Sequence, residues 1–528
     1  MSTSTSTNFL AEFDDSPRFR HPTRIGELLL LLLALTASIG AFAMVGQATQ
    51  GHLPDEFWVE AASMAGIALL LHIVIRLRAP WADQTLMPAV VLLNGVGLAM
   101  IQRIEIARPT GGADVIRNTQ WTAISVLLAC LVMFFLRDHR ILRRFTYTSM
   151  IVGLALLMSP MIPGVGREIN GARIWINIAG FSLQPGEFAK LFLAIFFAGY
   201  FYANRDTLAL AGPKILGLQL PRLRDLGPII IVWAAAIAVL VMQSDMGMSL
   251  LLFGMFVAML WLATQRSSWV LLGVVMAGVG GYGAVTAFPH VARRFDVWLD
   301  AMNSAVIDRV GGSGQLVSGM FSLAGGGLFG TGWGQGHPYL TPLSFSDFIY
   351  TSIGEELGLT GMLAILVIFL IVIERGLRTA ILVRDGFGKL LAGGLSFMLA
   401  IQVFTIIGGV TRLIPLTGLV TPFMAQGGTA MMSNWILVAF LLIISNAARQ
   451  PSSTTGLGQI AIDDGFAAVK EPAAEAIPVG RSADDAARVL ATPPPLDPRD
   501  ATHIINLDLP PTAPPPPPRR TSRKADAS

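Results

Sequence analysis

Residues 25–45 read IGELLLLLLALTASIGAFAMV, an almost unbroken apolar run of the length that a helix needs to cross a bilayer. Five other stretches repeat the signature: LLACLVMFFL (127–136), AKLFLAIFFAGYF (189–201), SLLLFGMFVAMLWLA (249–263), MLAILVIFLIVI (362–373) and NWILVAFLLII (434–444). Composition agrees, since 53% of the 528 residues are hydrophobic and only 13% are charged. A soluble chain carries about a quarter charged residues. The fold class is therefore all-α and polytopic in a membrane, with about twelve spans. They are expected near 26–45, 59–77, 86–103, 120–136, 146–163, 185–203, 227–243, 247–264, 269–288, 349–374, 388–408 and 431–447. A cleaved signal peptide is the rival reading of the first run, but that run exceeds the usual apolar core of such peptides, about 7 to 15 residues.

Several chemistries are excluded at once. The single cysteine, Cys130, lies in an apolar run and the seven histidines are scattered, so neither a disulfide framework nor a Cys/His zinc site is present. With a net charge of +3 and no basic stripe interleaved with aromatics, nucleic acid is not a partner.

Cytoplasmic loops are enriched in Lys and Arg. Both termini placed inside give inner loops that carry Arg76 and Arg78, RDHRILRR (137–144), Lys214 with Arg222 and Arg224, Arg266, and ERGLRTAILVRDGFGK (374–389). The outer loop GQATQGHLPDEFW (46–58) has no cation. Two outer loops break the trend, with Arg167 and Arg173 in one and Arg293, Arg294 and Arg309 in the other, and function is to be sought there. Three regions follow: a disordered cytoplasmic lead (1–25), the membrane domain (26–447) and a disordered, Pro-rich cytoplasmic tail (448–528). The tail ends in PPTAPPPPPRRTSRKADAS, which suits a polyproline II ligand or no specific partner. Segment 289–348 is too long for a plain connection and too rich in apolar and aromatic residues for disorder, so it is expected to form a large folded cap on the outer side.

Polar residues gather at the outer ends of the spans in four clusters. In GREINGARIWINIAGFSLQPGEFAKL (166–191), Pro185 suits a first helical turn, and Glu187 and Lys190 fall at i and i+3, close enough to pair. In QSDMGMS (243–249), Asp245 is placed to cap the next helix. PLSFSDFIYTSIGEELG (342–358) sets Asp347 at a helix mouth, where capping is the plain explanation, and Glu355 and Glu356 deeper, where a carboxylate is costly without partners or a polar cavity. GGVTRLIPLTGLVTPFMAQGGTAMMSN (408–434) supplies flexible backbone whose amides can meet an anion. Together these describe an outward-facing cavity for an amphiphile with an anionic head, which an enzyme and a transporter could share.

Four blocks of the chain, in order, resemble the SEDS family (shape, elongation, division and sporulation), which includes RodA, FtsW and SpoVE. They are GARIWINIAGFSLQPGEFAKL, QLVSGMFSLAGGGLFGTGWGQG, SDFIYTSIGEELGLTG and IPLTGLVTPFMAQGGT, within about residues 146–447. The twelve spans and the C-terminal block resemble the RodA branch, which adds two N-terminal spans to the family's ten. The resemblance implies a peptidoglycan glycosyltransferase of the cytoplasmic membrane that polymerises lipid II at the outer face for cell elongation and shape. Class B penicillin-binding proteins accompany such enzymes and crosslink the new strand. The family's essential aspartate falls on Asp347, the proposed general base. Its arginine after Gly-Ala falls on Arg173, and its Glu and Lys on Glu187 and Lys190. Gln315, Glu355 and Asp245 fall on further family positions. Arg173 and Lys190 are the expected partners of the pyrophosphate, and a divalent cation, Mg or Mn, could share that task through carboxylates and substrate oxygens. Gly186, Ser244 and Ala425 depart from the family pattern, and Ala425 puts a hydroxyl contact there in doubt. Competing readings are a lipid II flippase without chemistry, a division-specific FtsW-like polymerase, and a non-enzymatic scaffold for which Asp347 is dispensable.

Overall fold

The computed structural model describes residues 23–451, except 110–111, 170–171, 179 and, within 210–240, all but 214–215, 218–219, 231, 234–235 and 237–238. Residues 1–22 and 452–528, most of the span expected at 227–243, and the inner-loop Arg222 and Arg224 lie outside the described residues.

Among the described residues, eleven helices are long and apolar enough to cross a membrane. They match the other eleven expected spans. The helices are α1 (Ile25–Gln50), α2 (Phe57–Arg78), α3 (Leu86–Ala107), α4 (Val115–Phe135), α5 (Thr146–Met158, led in by a 3-10 stretch His139–Phe145), α6 (Pro185–Ala203), α7 (Met246–Thr264) and α8 (Ser268–Ala287). After short helices, of which α9 (Pro289–Leu299) and α10 (Gly314–Gly326) are the longest, come α11 (Ile349–Leu382), α12 (Gly386–Val410) and α13 (Gly428–Arg449). Helices suit this solvent because each closes its own backbone hydrogen bonds. α13 is the central post: Ser433, Asn434, Trp435, Leu441 and Leu442 are buried, and it packs on α4, α6 and α11. α8 is its opposite, with Val270, Leu271, Val274, Val275 and Val279 facing outward as lipid-contacting surface. The one charge in the first span, Glu27, is buried but paired with Arg24 and, at 2.6 Å, with His72 Nδ1.

Two departures from plain helix position the site. The first is a three-stranded antiparallel sheet of β1 (Gly166–Ile169), β2 (Ala172–Ile178) and β3 (Phe181–Leu183) in the order β1-β2-β3. An all-α reading passes over it, although Ile174, Ile176 and Ile178 alternate as strand residues do and Gly180 turns at φ +87°. The second is a break inside α11 at Gly358 (φ 67°, ψ −169°). The backbone groups freed there pair with the glycine-rich segment after α10. Thr331 and Gly332 amides donate to the Glu355 and Glu356 carbonyls (3.0 and 2.9 Å), and Leu359 and Thr360 amides donate to the Gly327 and Leu328 carbonyls (3.0 and 3.1 Å). Only glycine fits Gly330, because a Cβ would lie 2.2 Å from the Glu356 carbonyl oxygen.

Segment 289–348 carries the short helices α9 and α10. Its helix α9 is stitched to the loop after α12: Trp298 Nε1 donates to the Arg412 carbonyl (3.1 Å), and Arg412 Nε donates back to the Trp298 carbonyl (2.8 Å).

Candidate active site

A cavity of about 310 Å3 lies where four membrane helices begin. Gln184 is the N-cap of α6, Asp245 that of α7 and Gly427 that of α13, while Asp347 stands two residues before α11, and all four residues line the cavity. Helix N-termini present unpaired amides and partial positive charge. Four of them on one cavity offer backbone donors to an anion, beside the carboxylates of Glu187, Asp245 and Asp347 in the same lining. The sheet contributes Ala172, Ile174 and Trp175 as one wall, and the loop 417–430 supplies another.

Asp347 does not cap α11, which begins without any side-chain cap, so the plain explanation for this carboxylate fails. Its Oδ1 accepts a hydrogen bond from Ser346 Oγ (3.0 Å), and its Oδ2 faces Gly418. Burial pushes its pKa up to about 6, against the opposing pull of the Ser346 hydrogen bond and the Arg294 charge. Asp245 does cap, accepting from the Met248 amide at 2.9 Å, as its position in the sequence suggests. Burial also lifts Asp245 to about 6, opposed by the Met248 amide and Arg294, and Glu187 adds to the rise.

Among the described residues, Arg294 is the cation on the cavity wall. It sits on α9, donates to the Leu416 and Thr417 carbonyls (3.1 and 3.0 Å), and acts electrostatically on both aspartates. Burial lowers its own pKa, and the two aspartates oppose that shift. The sequence marks it only as one of several cations breaking the loop charge trend; its helix register and the bonds to 416–417 are tertiary facts.

The remaining expected residues are placed differently. Glu187 lines the cavity and pairs with Lys190 at 2.7 Å. Lys190 is fully buried behind it and donates to Gln402 Oε1 and Asn434 Oδ1 (both 3.3 Å), so its ammonium is held by one ion pair and two hydrogen bonds. Arg173 has an exposed side chain at the rim, between wall residues Ala172 and Ile174. Gln315 braces the loop before Asp347 by donating to the Pro342 carbonyl (3.0 Å). Glu355 accepts from Ser322 Oγ and from the His337 amide (2.5 Å). Glu356, unassigned by sequence, accepts from Arg103 Nε (2.7 Å) and the Gly334 amide (3.0 Å). These two glutamates hold the glycine-rich loop, not the cavity. Ala425 is buried, one residue before the cavity-lining Gln426.

A second, apolar groove of about 520 Å3 shares Ser244, Asp245 and Thr417 with the polar cavity and runs between α7, α8 and α12. Met276, Ala277, Gly280 and Gly281 form its α8 side. No three potential metal ligands converge among the described residues, so no resident metal is assigned.

The chain is thus a polytopic membrane protein whose cavity, lined by carboxylates, helix N-termini and Arg294, joins an apolar groove. The family model of FtsW, RodA and SpoVE, described as cell cycle proteins, matches residues 84–450, and the chain belongs to that family. It is 44% identical to the peptidoglycan glycosyltransferase RodA of Mycobacterium tuberculosis over 439 residues, 82% of this chain and 93% of the relative. It is 31% identical to the stage V sporulation protein E of Bacillus subtilis over 328 residues, 61% of this chain and 85% of the relative. Among solved structures, a chain of a peptidoglycan synthase complex that coordinates polymerization and crosslinking is similar at a TM-score of 0.55 and 21% identity. The likeness covers 70% of this chain and 99% of the other and speaks to the fold.

Proposed function

We propose that the chain is a RodA-like peptidoglycan glycosyltransferase that polymerises lipid II, with the cavity at the N-termini of α6, α7, α11 and α13 as its active site. The observation that carries this reading is Asp347: a carboxylate on the cavity wall, free of capping duty and raised to about 6 by burial. A base with a pKa near the working pH is the most effective kind, and it contributes about 10²–10⁴-fold. Asp347 takes the proton of an acceptor sugar 4-hydroxyl, whose oxygen bonds to C1 of the donor sugar as the bond from C1 to the pyrophosphate oxygen breaks. Undecaprenyl pyrophosphate leaves with that electron pair.

The departing charge falls among four helix N-termini and Arg294, the cation lining the cavity. The pyrophosphate role expected of Arg173 and Lys190 passes to Arg294, because Lys190 is consumed by Glu187, Gln402 and Asn434 and Arg173 stands at the rim. Lys190 and Glu187 act on the wall instead. A divalent cation bound to the substrate pyrophosphate would add charge neutralisation, held by substrate oxygens with the help of Asp245. The apolar groove takes the polyprenyl chain, since its open glycine face on α8 lies between spans and joins the cavity at Asp245.

The Lys/Arg bias of the loops supports an outward-facing cavity and cytoplasmic termini. A class B penicillin-binding protein is the proposed partner that crosslinks the product, in keeping with the synthase complex to which the fold is similar. The test is the purified protein in vesicles with lipid II supplied only at the cavity side. Glycan polymer is the expected product, and translocation of lipid II without polymer would establish the transporter reading in its place.

A further inference from the structure

We infer that the opposite end of the bundle carries a binding site for the phosphodiester headgroup of an anionic membrane phospholipid. α13 begins at Gly428 in the active-site cavity and ends at Arg449 in a second polar pocket, of about 360 Å3. At 1.5 Å per residue its 22 residues put the two sites about 33 Å apart, the thickness of a membrane.

The pocket is built, not incidental. The connection between α2 and α3 is pinned to the end of α13 by two hydrogen bonds, from the Trp81 amide to Asn446 Oδ1 (2.9 Å) and from the Asp83 amide to Ser445 Oγ (2.8 Å). Asp83 is buried on the pocket wall and draws in Arg449 (2.6 Å) and Arg375 (3.8 Å). Arg378, one helical turn beyond Arg375, lines the same pocket and is exposed. Three guanidinium groups thus line the pocket beside one carboxylate, Asp83, which pairs with two of them. Glu374 pairs with Arg375 from outside the pocket (3.1 Å) and leaves the group with net positive charge. An oxyanion between the arginines completes the set, and guanidinium suits phosphate through paired N–H donors.

The position selects a lipid as the source of that phosphate. The pocket lies where the α2–α3 connection meets the C-terminal ends of α11 and α13, with Trp81 and Leu382 in its lining, residue types suited to a membrane surface. With the termini inside, this is the cytoplasmic leaflet, whose anionic lipids attract basic residues, each strengthening binding roughly five-fold. The inference uses that orientation and is independent of the polymerase reading.

The test uses full-length purified protein, delipidated in detergent and titrated with dioleoylphosphatidylglycerol or dioleoylphosphatidylcholine, with bound lipid counted by native mass spectrometry. The variant is Arg375→Gln/Arg378→Gln, which keeps the Arg449 to Asp83 pair. We expect the wild type to prefer phosphatidylglycerol, and the double variant to bind it at least about ten-fold more weakly, with an unchanged melting temperature in the absence of lipid. Equal binding of the two lipids by the wild type, or a preference retained by the variant, would overturn the site. Inorganic phosphate abolishing phosphatidylglycerol binding at equal concentration would overturn the lipid assignment and leave a soluble-anion site.

Discussion

At the residue scale, the chemistry turns on what surrounds each carboxylate. Asp347 and Asp245 look equivalent in sequence, each near a helix start, but Asp245 accepts the Met248 amide and Asp347 accepts only the Ser346 hydroxyl. Both are raised to about 6 by burial, and Asp347, which caps no helix, is the one we propose as the base. The sign of the pH dependence follows. A base raised to about 6 is ionised above that value and protonated below it, so polymerisation falls as pH drops through about 6, measurable as the acid limb of a pH–rate profile. For stability, the folded state holds this proton more tightly than the unfolded chain, so stability declines as pH rises from about 4 to 6 and is level above. Arg294→Lys keeps the charge and loses the planar fork. It is expected to lower kcat by about ten-fold or more with a smaller change in KM for lipid II, read from steady-state kinetics, since the leaving group's charge develops in the transition state. The sequence shows the aspartates and Lys190 plainly, but not that Lys190 faces away from the cavity or that Arg294 faces into it. Side-chain direction there depends on packing among α6, α12 and α13 and on the docking of α9, which no local pattern records.

At the element scale, two irregular features do what regular helices cannot. The break at Gly358 and the segment 327–336 support one another through backbone bonds, and Glu355 and Glu356 fasten the pair to α10 and α3. Glu356→Gln leaves Arg103 buried without its countercharge and is expected to destabilise the protein by about 3–5 kcal/mol, seen as a lower melting temperature, with the loss of activity secondary to it. The glycines of the groove predict the reverse outcome. A Cβ on Gly280 meets nothing within 4 Å, so Gly280→Leu should fold normally while obstructing the groove. Its KM for long-chain lipid II should rise several-fold, with little change for a short-chain analogue, as a comparison of the two substrates would reveal. The apolar runs announce the spans because length and hydropathy alone determine a membrane helix. The three-stranded sheet at 166–183 is less visible, since its strands are short and set beside long apolar segments that dominate any reading of the chain.

At the scale of the whole molecule, the helices set two polar sites at opposite ends of α13 and an apolar groove beside one of them. That division suits an enzyme whose substrate is part lipid and part charged sugar, and whose product leaves on one side. The most direct measurement is polymerisation of lipid II by purified wild-type protein and by Asp347→Asn, each shown to be folded by its melting curve. Polymerisation is expected to fall by at least about 10²-fold in the variant, while its melting temperature at neutral pH is equal to or above that of the wild type, because a carboxylate that resists ionisation has been replaced by a neutral group. Undiminished polymer from a folded Asp347→Asn protein would contradict the account.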